Sequence, residues 1–139
     1  MHELKDDRFV LYWHDIEKEL LTIPHVWQPW WTLESIRNGV IAGHLQCWVV
    51  GTKSRIDAVL FTQIAIYPGA KMLQIIVAFG KLLDYIDLCD AVLTRYAETW
   101  GCSEIEMTGR PGWGPKLRKM GFKRNSIVMA KKLDQLRVN

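Results

Sequence analysis

Met72-Leu73-Gln74-Ile75-Ile76-Val77-Ala78-Phe79-Gly80-Lys81-Leu82-Leu83-Asp84-Tyr85-Ile86-Asp87-Leu88-Cys89-Asp90-Ala91-Val92-Leu93-Thr94-Arg95-Tyr96-Ala97-Glu98-Thr99-Trp100-Gly101 holds two hydrophobic periods back to back. From Met72 to Phe79 only Gln74 is polar. A short, nearly continuous apolar run suits a strand buried on both faces, near a sheet centre. From Cys89 the period changes: Cys89, Val92, Leu93, Tyr96, Ala97 and Trp100 follow i, i+3, i+4, i+7, i+8 and i+11. That spacing places them on one face of an amphipathic helix, predicted over Asp87–Trp100. Gly101 stands where a left-handed residue ends such a helix. Glu104–Thr108 then reads as a short strand with Ile105 and Met107 on one face. Strand, helix and strand at this spacing predict parallel pairing through a right-handed crossover.

Working back toward the N-terminus, the same rules place further elements. Asp6 or Asp7 is suited to cap a first helix carrying Phe9, Tyr12, Trp13, Ile16 and Leu20, which Pro24 stops. Pro24 to Trp31 reads as irregular and aromatic. Thr32 is the expected N-cap of a short helix with Leu33, Ile36 and Val40, broken by Gly39. Leu45–Val50 and Ile56–Tyr67 read as strands on either side of the polar turn Gly51-Thr52-Lys53-Ser54-Arg55, and Pro68-Gly69 turns the chain into the Met72 strand. Three consecutive strands imply an antiparallel meander. Beyond Thr108, Gly109-Arg110-Pro111-Gly112 reads as a turn, Trp113–Met120 as a short basic helix closed by Gly121, and Phe122–Leu133 as the home of a last strand centred on Ile127, Val128 and Met129. The expected fold class is α/β (α+β): a mixed, mostly antiparallel central sheet flanked by helices.

Length and composition agree with one domain spanning 1–139. A chain of this size buries about two-thirds of its unfolded surface and needs no staples. Hydrophobic residues make up 49% and charged residues 24%, which excludes a disordered chain. No apolar run approaches the ~20 residues of a membrane helix, and Met1–Arg8 lacks the apolar core of a signal peptide. Cys47, Cys89 and Cys102 are odd in number and widely spaced, as fits reduced intracellular thiols. The net charge of +3 is unevenly divided. Met1–Gly109 holds nine Lys/Arg against fourteen Asp/Glu, whereas Arg110–Asn139 holds nine against Asp134 alone. An acidic body with a basic C-terminal segment suggests an anionic ligand or partner near the basic end.

The element order resembles the GNAT fold of acetyl-CoA-dependent N-acetyltransferases. The likeness is carried by the strand Met72–Phe79, the helix Asp87–Trp100, the strand Glu104–Thr108 and the segment Trp113–Phe122. Gly109-Arg110-Pro111-Gly112-Trp113, ahead of a short helix ending in Gly121-Phe122, resembles the Gly-Arg-x-Gly-Trp run of GNAT-like proteins from tailed bacteriophages. The resemblance implies acetyl-CoA as cofactor and an amine as acyl acceptor. It places the cofactor contacts at Val77, Ala78, Phe79, Gly80 and Lys81. It also implies a location in the host cytoplasm or on the virion.

Two departures qualify what the resemblance implies. The family's Arg/Gln-x-x-Gly-x-Gly/Ala loop, whose N–H groups hold the CoA diphosphate at a helix start, corresponds here to Phe79–Asp87. Only Gly80 there allows close backbone approach, and only Lys81 adds a positive charge. Asp84, Asp87 and Asp90 crowd the helix start, where they suit the helix dipole but repel a dianion, and capping is their simplest role. If CoA binds, the basic C-terminal segment is expected to supply more of the phosphate attraction than this loop. The second departure is in the last helix. The Tyr that many GNAT enzymes carry four residues before the helix-ending Gly, as general acid for the CoA thiol, is replaced by Leu117. No spacing brings Tyr67, Tyr85 or Tyr96 to that place, so the catalytic residues stay unassigned.

Other groups are weighed on their chemistry. His2, His14, His25 and His44 are scattered without metal-ligand spacing, and no metal site is expected. Trp27, Trp30 and Trp31 form either a core plug or an aromatic platform, with His25 and Gln28 as polar neighbours; burial is the commoner fate of Trp. Arg110 and Trp113, just past a strand end, either hold and shield an anion or anchor the short helix. Lys116, Arg118, Lys119, Lys123, Arg124, Lys131, Lys132 and Arg137 read better as a solvated face than as a nucleic-acid surface, since no recognised module accompanies them. Three functions follow in order: an N-acyltransferase, a non-catalytic phage protein that builds the virion or binds a host protein, and a nucleic-acid binder.

Overall fold

The computed structural model describes residues 1–28, 30–52, 55–107 and 114–124, with 129, 131 and 133. The chain divides into two compact units, Met1–Gly109 and Arg110–Asn139. The first carries β1 (His2–Leu4), α1 (Asp6–Thr22), α2 (Pro24–Trp27), α3 (Leu33–Ile41), β2 (Gln46–Thr52), β3 (Arg55–Ile66), β4 (Lys71–Gly80), a 3-10 turn (Leu82–Tyr85), α4 (Ile86–Thr99) and β5 (Glu104–Met107). The second carries α5 (Gly114–Lys119), closed at Gly121 with φ +90°. The turn expected at Gly109–Gly112 and the strand expected around Ile127 and Val128 lie outside the described residues, as do Arg110 and Trp113.

Five strands among the described residues form one sheet in the order β1-β2-β3-β4-β5. The first three pairings are antiparallel and β4–β5 is parallel; those of β2 with β3, β3 with β4 and β4 with β5 are as the meander and the crossover predict. β1 was not expected. Three residues, two of them polar, show no periodicity, and the strand exists because Leu4 buries its side chain opposite Cys47. It also moves the start of α1. Lys5 is the single extended residue between strand and helix and occupies the N-cap position, without a side-chain cap bond, so Asp6 and Asp7 fall in the first turn instead of capping it.

Two faces of the sheet are covered. Leu4, Cys47, Val59, Phe61 and Val77 pack with Phe9, Trp13, Ile16 and Leu20 of α1, Trp27 of α2, and Ile36 and Val40 of α3. On the opposite face Trp48 meets Tyr96 of α4 edge-on at 5.0 Å. Gln46 and Thr62 are buried there as well, and their polar atoms are satisfied: Trp48 Nε1 donates to Thr62 Oγ1 at 3.0 Å, and Thr62 Oγ1 donates to Gln46 Oε1 at 2.8 Å. Gly39 does not break α3. A Cβ there would stand 2.7 Å from Leu45 Cγ, so the glycine lets Leu45 close over the helix. Thr32 caps α3 as expected, in a reciprocal box with Ser35. No helix among the described residues is long and apolar enough to cross a membrane.

Candidate functional site: the open end of β4

β4 changes its alternation midway. Phe61 pairs with Val77 and Thr62 with Ile75, so Ile76 is an extra residue with no partner in the register. This is a bulge, two residues on one strand facing one on its neighbour. Before it, Ile75 shares the α4 face with Thr62; after it, Val77 shares the α1–α3 face with Phe61. Ile76 and Phe79 are also packed against that second core.

The bulge follows directly on the last described pair of the β5 ladder. The last described pair is Ile75 with Met107, whereas β4 continues beside β3 as far as Gly80 opposite Ala58. Among the described residues, Ile76–Gly80 is therefore paired on one side only. Alternate peptide groups of a strand point to opposite sides, so part of this backbone is directed away from β3. Four of the five residues expected from sequence lie here: Val77 is buried, Ala78 and Phe79 are half-buried, and Gly80 is exposed. Lys81 follows, also exposed.

The turn after β4 is built around β3. Gly80 has φ +93°, and a Cβ on it would collide with the Asp57 carbonyl oxygen and lie 2.8 Å from Ala58 Cα. Its open space is thus taken by the protein's own backbone. The Lys81 N–H donates to that same Asp57 carbonyl at 2.8 Å. The 3-10 turn then runs directly into α4, with Asp84 N–H donating to Lys81 O at 3.2 Å. Tyr85 holds the N-cap position of α4 without a side-chain cap bond. The expected capping by aspartates is therefore corrected: Asp84 lies in the turn and Asp87 in the first helical turn, acting on the dipole alone.

A charged cluster that local sequence reading missed fastens this turn. The Asp57 side chain is only 3% exposed. Tyr85 donates its hydroxyl to Asp57 Oδ2 at 2.6 Å, and Arg55 Nε reaches Oδ1 at 2.7 Å. The Tyr85 hydroxyl holds the Asp57 carboxyl below its ordinary pKa; burial opposes this, and Arg55 and Lys81 add to it. Reciprocally, the bond to Asp57 raises the Tyr85 pKa, with burial and the carboxylate charge in the same direction. The hint in the sequence is an Arg55-x-Asp57 pair at the start of an otherwise apolar strand.

The three tyrosines considered from sequence are now placed. Tyr67 sits at the turn before β4, about 30 Å from Gly80 by the rise of a ten-residue strand. Tyr96 lies beneath Trp48, and its pKa is pushed up to about 12 by burial first, then by Glu3 and Cys102. Tyr85 is near the end of β4 but spends its proton on Asp57. Leu117 lies in α5. The tryptophan group divides. Trp27 is buried and its Nε1 donates to Leu20 O at 2.8 Å; Trp31 packs against the same core; Trp30 is 75% exposed. Cys47 and Cys89 are buried, and burial raises both thiols. Among the described residues no group of three or more His, Cys, Asp or Glu is placed to hold a metal ion.

No protein-family model matches the sequence, and no curated protein matches it. Solved structures do match the fold. The chain is similar to a predicted acetyltransferase from Clostridium acetobutylicum, crystallised with acetyl-CoA, at 14% identity and a TM-score of 0.66 over 94% of this chain and 95% of that one. It is similar to the aminoglycoside N-acetyltransferase AAC(6')-Iy bound to a CoA bisubstrate analogue, at 14% identity and a TM-score of 0.68 over 96% of each chain. A ribosomal-protein-alanine N-acetyltransferase from Brucella melitensis matches at 13% identity and a TM-score of 0.65, over 96% of this chain and 98% of that one. The chain has the fold of these acetyltransferases, the GNAT fold that its sequence resembles.

Proposed function

We propose that this protein is an acetyl-CoA-dependent N-acyltransferase whose site is the open end of β4, and that residues 1–139 act as one domain. The observation that carries the reading is the one-sided stretch Ile76–Gly80. A strand that the described residues pair on one side only offers main-chain donors and acceptors to an extended ligand, and it does so in a fold whose solved counterparts include acetyltransferases bound to acetyl-CoA or a CoA analogue. These residues fit such a donor: backbone that no described residue pairs on the side away from β3 for its extended arm, and the Lys81 ammonium beyond for its phosphates. Acetyl-CoA supplies an acyl group activated as a thioester. Val77, Ala78 and Phe79 hold its arm in strand fashion, and a main-chain N–H among them supports the carbonyl oxygen as negative charge grows on it. Leu117 cannot donate a proton, so the departing thiolate would take its proton from solvent.

Isothermal titration with acetyl-CoA and CoA tests the reading. Saturable binding below millimolar concentration is expected; absence of binding at millimolar ligand overturns it.

A second reading, a non-catalytic GNAT-fold protein that serves in a virion or binds a host protein, is favoured by one observation. The Gly80 space that would admit a phosphate is filled by the Asp57 carbonyl. The phage-type character, and with it a place in the host cytoplasm or the virion, rests on Gly109-Arg110-Pro111-Gly112-Trp113 alone. Mass spectrometry of virions and pull-downs from infected cells would sink this reading if the protein appears in no assembly.

A further inference from the structure

The end of β4 collects positive charge from two places far apart in the chain. Arg55 opens β3 and Lys81 follows β4, and both act on the carboxylate of Asp57 between them. A buried carboxylate is stable only when its charge and lone pairs are answered. Here Arg55 answers through Nε at 2.7 Å and through Nη2 at 3.5 Å, and Tyr85 through its hydroxyl at 2.6 Å. Asp84 in the same turn balances the second cation, so what the cluster offers an anion is the outer edge of Arg55 and not a surplus of charge. The Arg55 side chain is fastened on its inner edge yet remains 65% exposed. A guanidinium already fixed in one orientation has little rotamer freedom left to lose when it meets a second anion. Its planar fork suits phosphate oxygens.

We propose that Arg55, aimed by Asp57 and Tyr85, forms with Lys81 the cation pair that holds the diphosphate of CoA at the end of β4. Arg55 is the contacting residue; Asp57 and Tyr85 are positioning residues. The inference rests on the acyl-CoA reading above and deepens it. It gives a turn without the family's run of glycines, and with Asp84 and Asp87 beside it, a fixed guanidinium edge with which to contact a dianion. The filled Gly80 space belongs to the same device: the Asp57 carbonyl that occupies it also takes the Lys81 N–H. β3 thereby fixes the turn from which the lysine projects.

The test is CoA titration of the whole protein at two salt concentrations, with wild type, Arg55→Gln, Lys18→Gln, Tyr85→Phe and the Arg55→Gln/Tyr85→Phe double variant. Lys18 is an exposed residue of α1 and controls for net charge. Arg55→Gln is expected to weaken CoA roughly tenfold, as loss of a charge-assisted phosphate contact does, and to flatten the salt dependence. Lys18→Gln leaves affinity unchanged. Tyr85→Phe weakens binding less, and adds nothing in the double variant, because it acts through Arg55. Wild-type affinity in Arg55→Gln, an equal loss in Lys18→Gln, or additive losses in the double variant overturn the proposal while leaving the acyl-CoA reading standing. A wild-type protein that binds no CoA overturns that reading, and the proposal with it.

Discussion

At Asp57 three segments meet: the start of β3 through Arg55, the residue after β4 through Lys81, and the start of α4 through Tyr85. The arrangement predicts a pH dependence whose sign follows from the lowered carboxyl. A carboxylate favoured in the folded state adds stability in full above the ordinary aspartate value of about 3.9, and that stability is lost as pH falls through the lowered value. The melting-temperature gap between wild type and Asp57→Asn is therefore widest near neutrality and closes below about pH 4. A gap of constant width across that range contradicts the assignment. The neighbouring glycine gives a sharper steric test. Gly80→Ala forces a side chain into φ +93° against the Asp57 carbonyl, and a cost of about 2 kcal/mol or more is expected in urea unfolding. A loss within about 0.5 kcal/mol, the range of surface substitutions, refutes the close approach. None of this was legible locally. Tyr85 lies 28 residues from Asp57, and a polar residue in a strand reveals its partner only when the sheet is assembled.

Elements were more legible than contacts, because burial imposes a period on sequence. The apolar run Met72–Phe79 and the 3.6-residue pattern from Cys89 became β4 and α4, and Thr32 capped α3 where a hydroxyl before an apolar turn predicts it. What escaped was what carries no period: the three-residue β1, and the bulge at Ile76. In a strand apolar on both faces, a reversal of facing changes no residue type, so the sequence is silent about it. The α1–α2 corner shows the opposite case, a composition signal whose meaning was open. Trp27 closes that corner by donating Nε1 to Leu20 O inside the core, where the Ile23 N–H donates to the same oxygen at 3.1 Å, so Trp27→Phe removes one of two donors. A loss of about 0.5–1.5 kcal/mol in urea unfolding is expected, as for one net hydrogen bond. Near-neutral behaviour would mean that the indole N–H contributes nothing.

The molecule as a whole keeps the division seen in its charge. The acidic stretch ends at Gly109 and the basic one begins at Arg110, and the two compact units share that boundary. The first unit carries the sheet, the strand end that its described residues pair on one side only, and the cluster of Arg55, Asp57, Lys81 and Tyr85. Identities of 13–14% to acetyltransferases of the same fold show why the activity is harder to read than the architecture. A sheet of this order is specified by burial, which many sequences satisfy, whereas a site is specified by a few side chains. The backbone site proposed here needs even fewer, since main-chain N–H groups leave no mark on composition. Arg110 and Trp113, the other candidates from sequence, lie outside the described residues.

The central claim is that acetyl-CoA lies along Ile76–Gly80, and amide chemical shifts test it directly. On titrating acetyl-CoA into the ¹⁵N-labelled protein, saturable shift changes are predicted at the Val77, Ala78, Phe79 and Gly80 amides. The Tyr67–Lys71 turn, at the far end of β4, should stay unmoved. No perturbation at millimolar acetyl-CoA, or changes confined to residues away from the end of β4, would contradict the account.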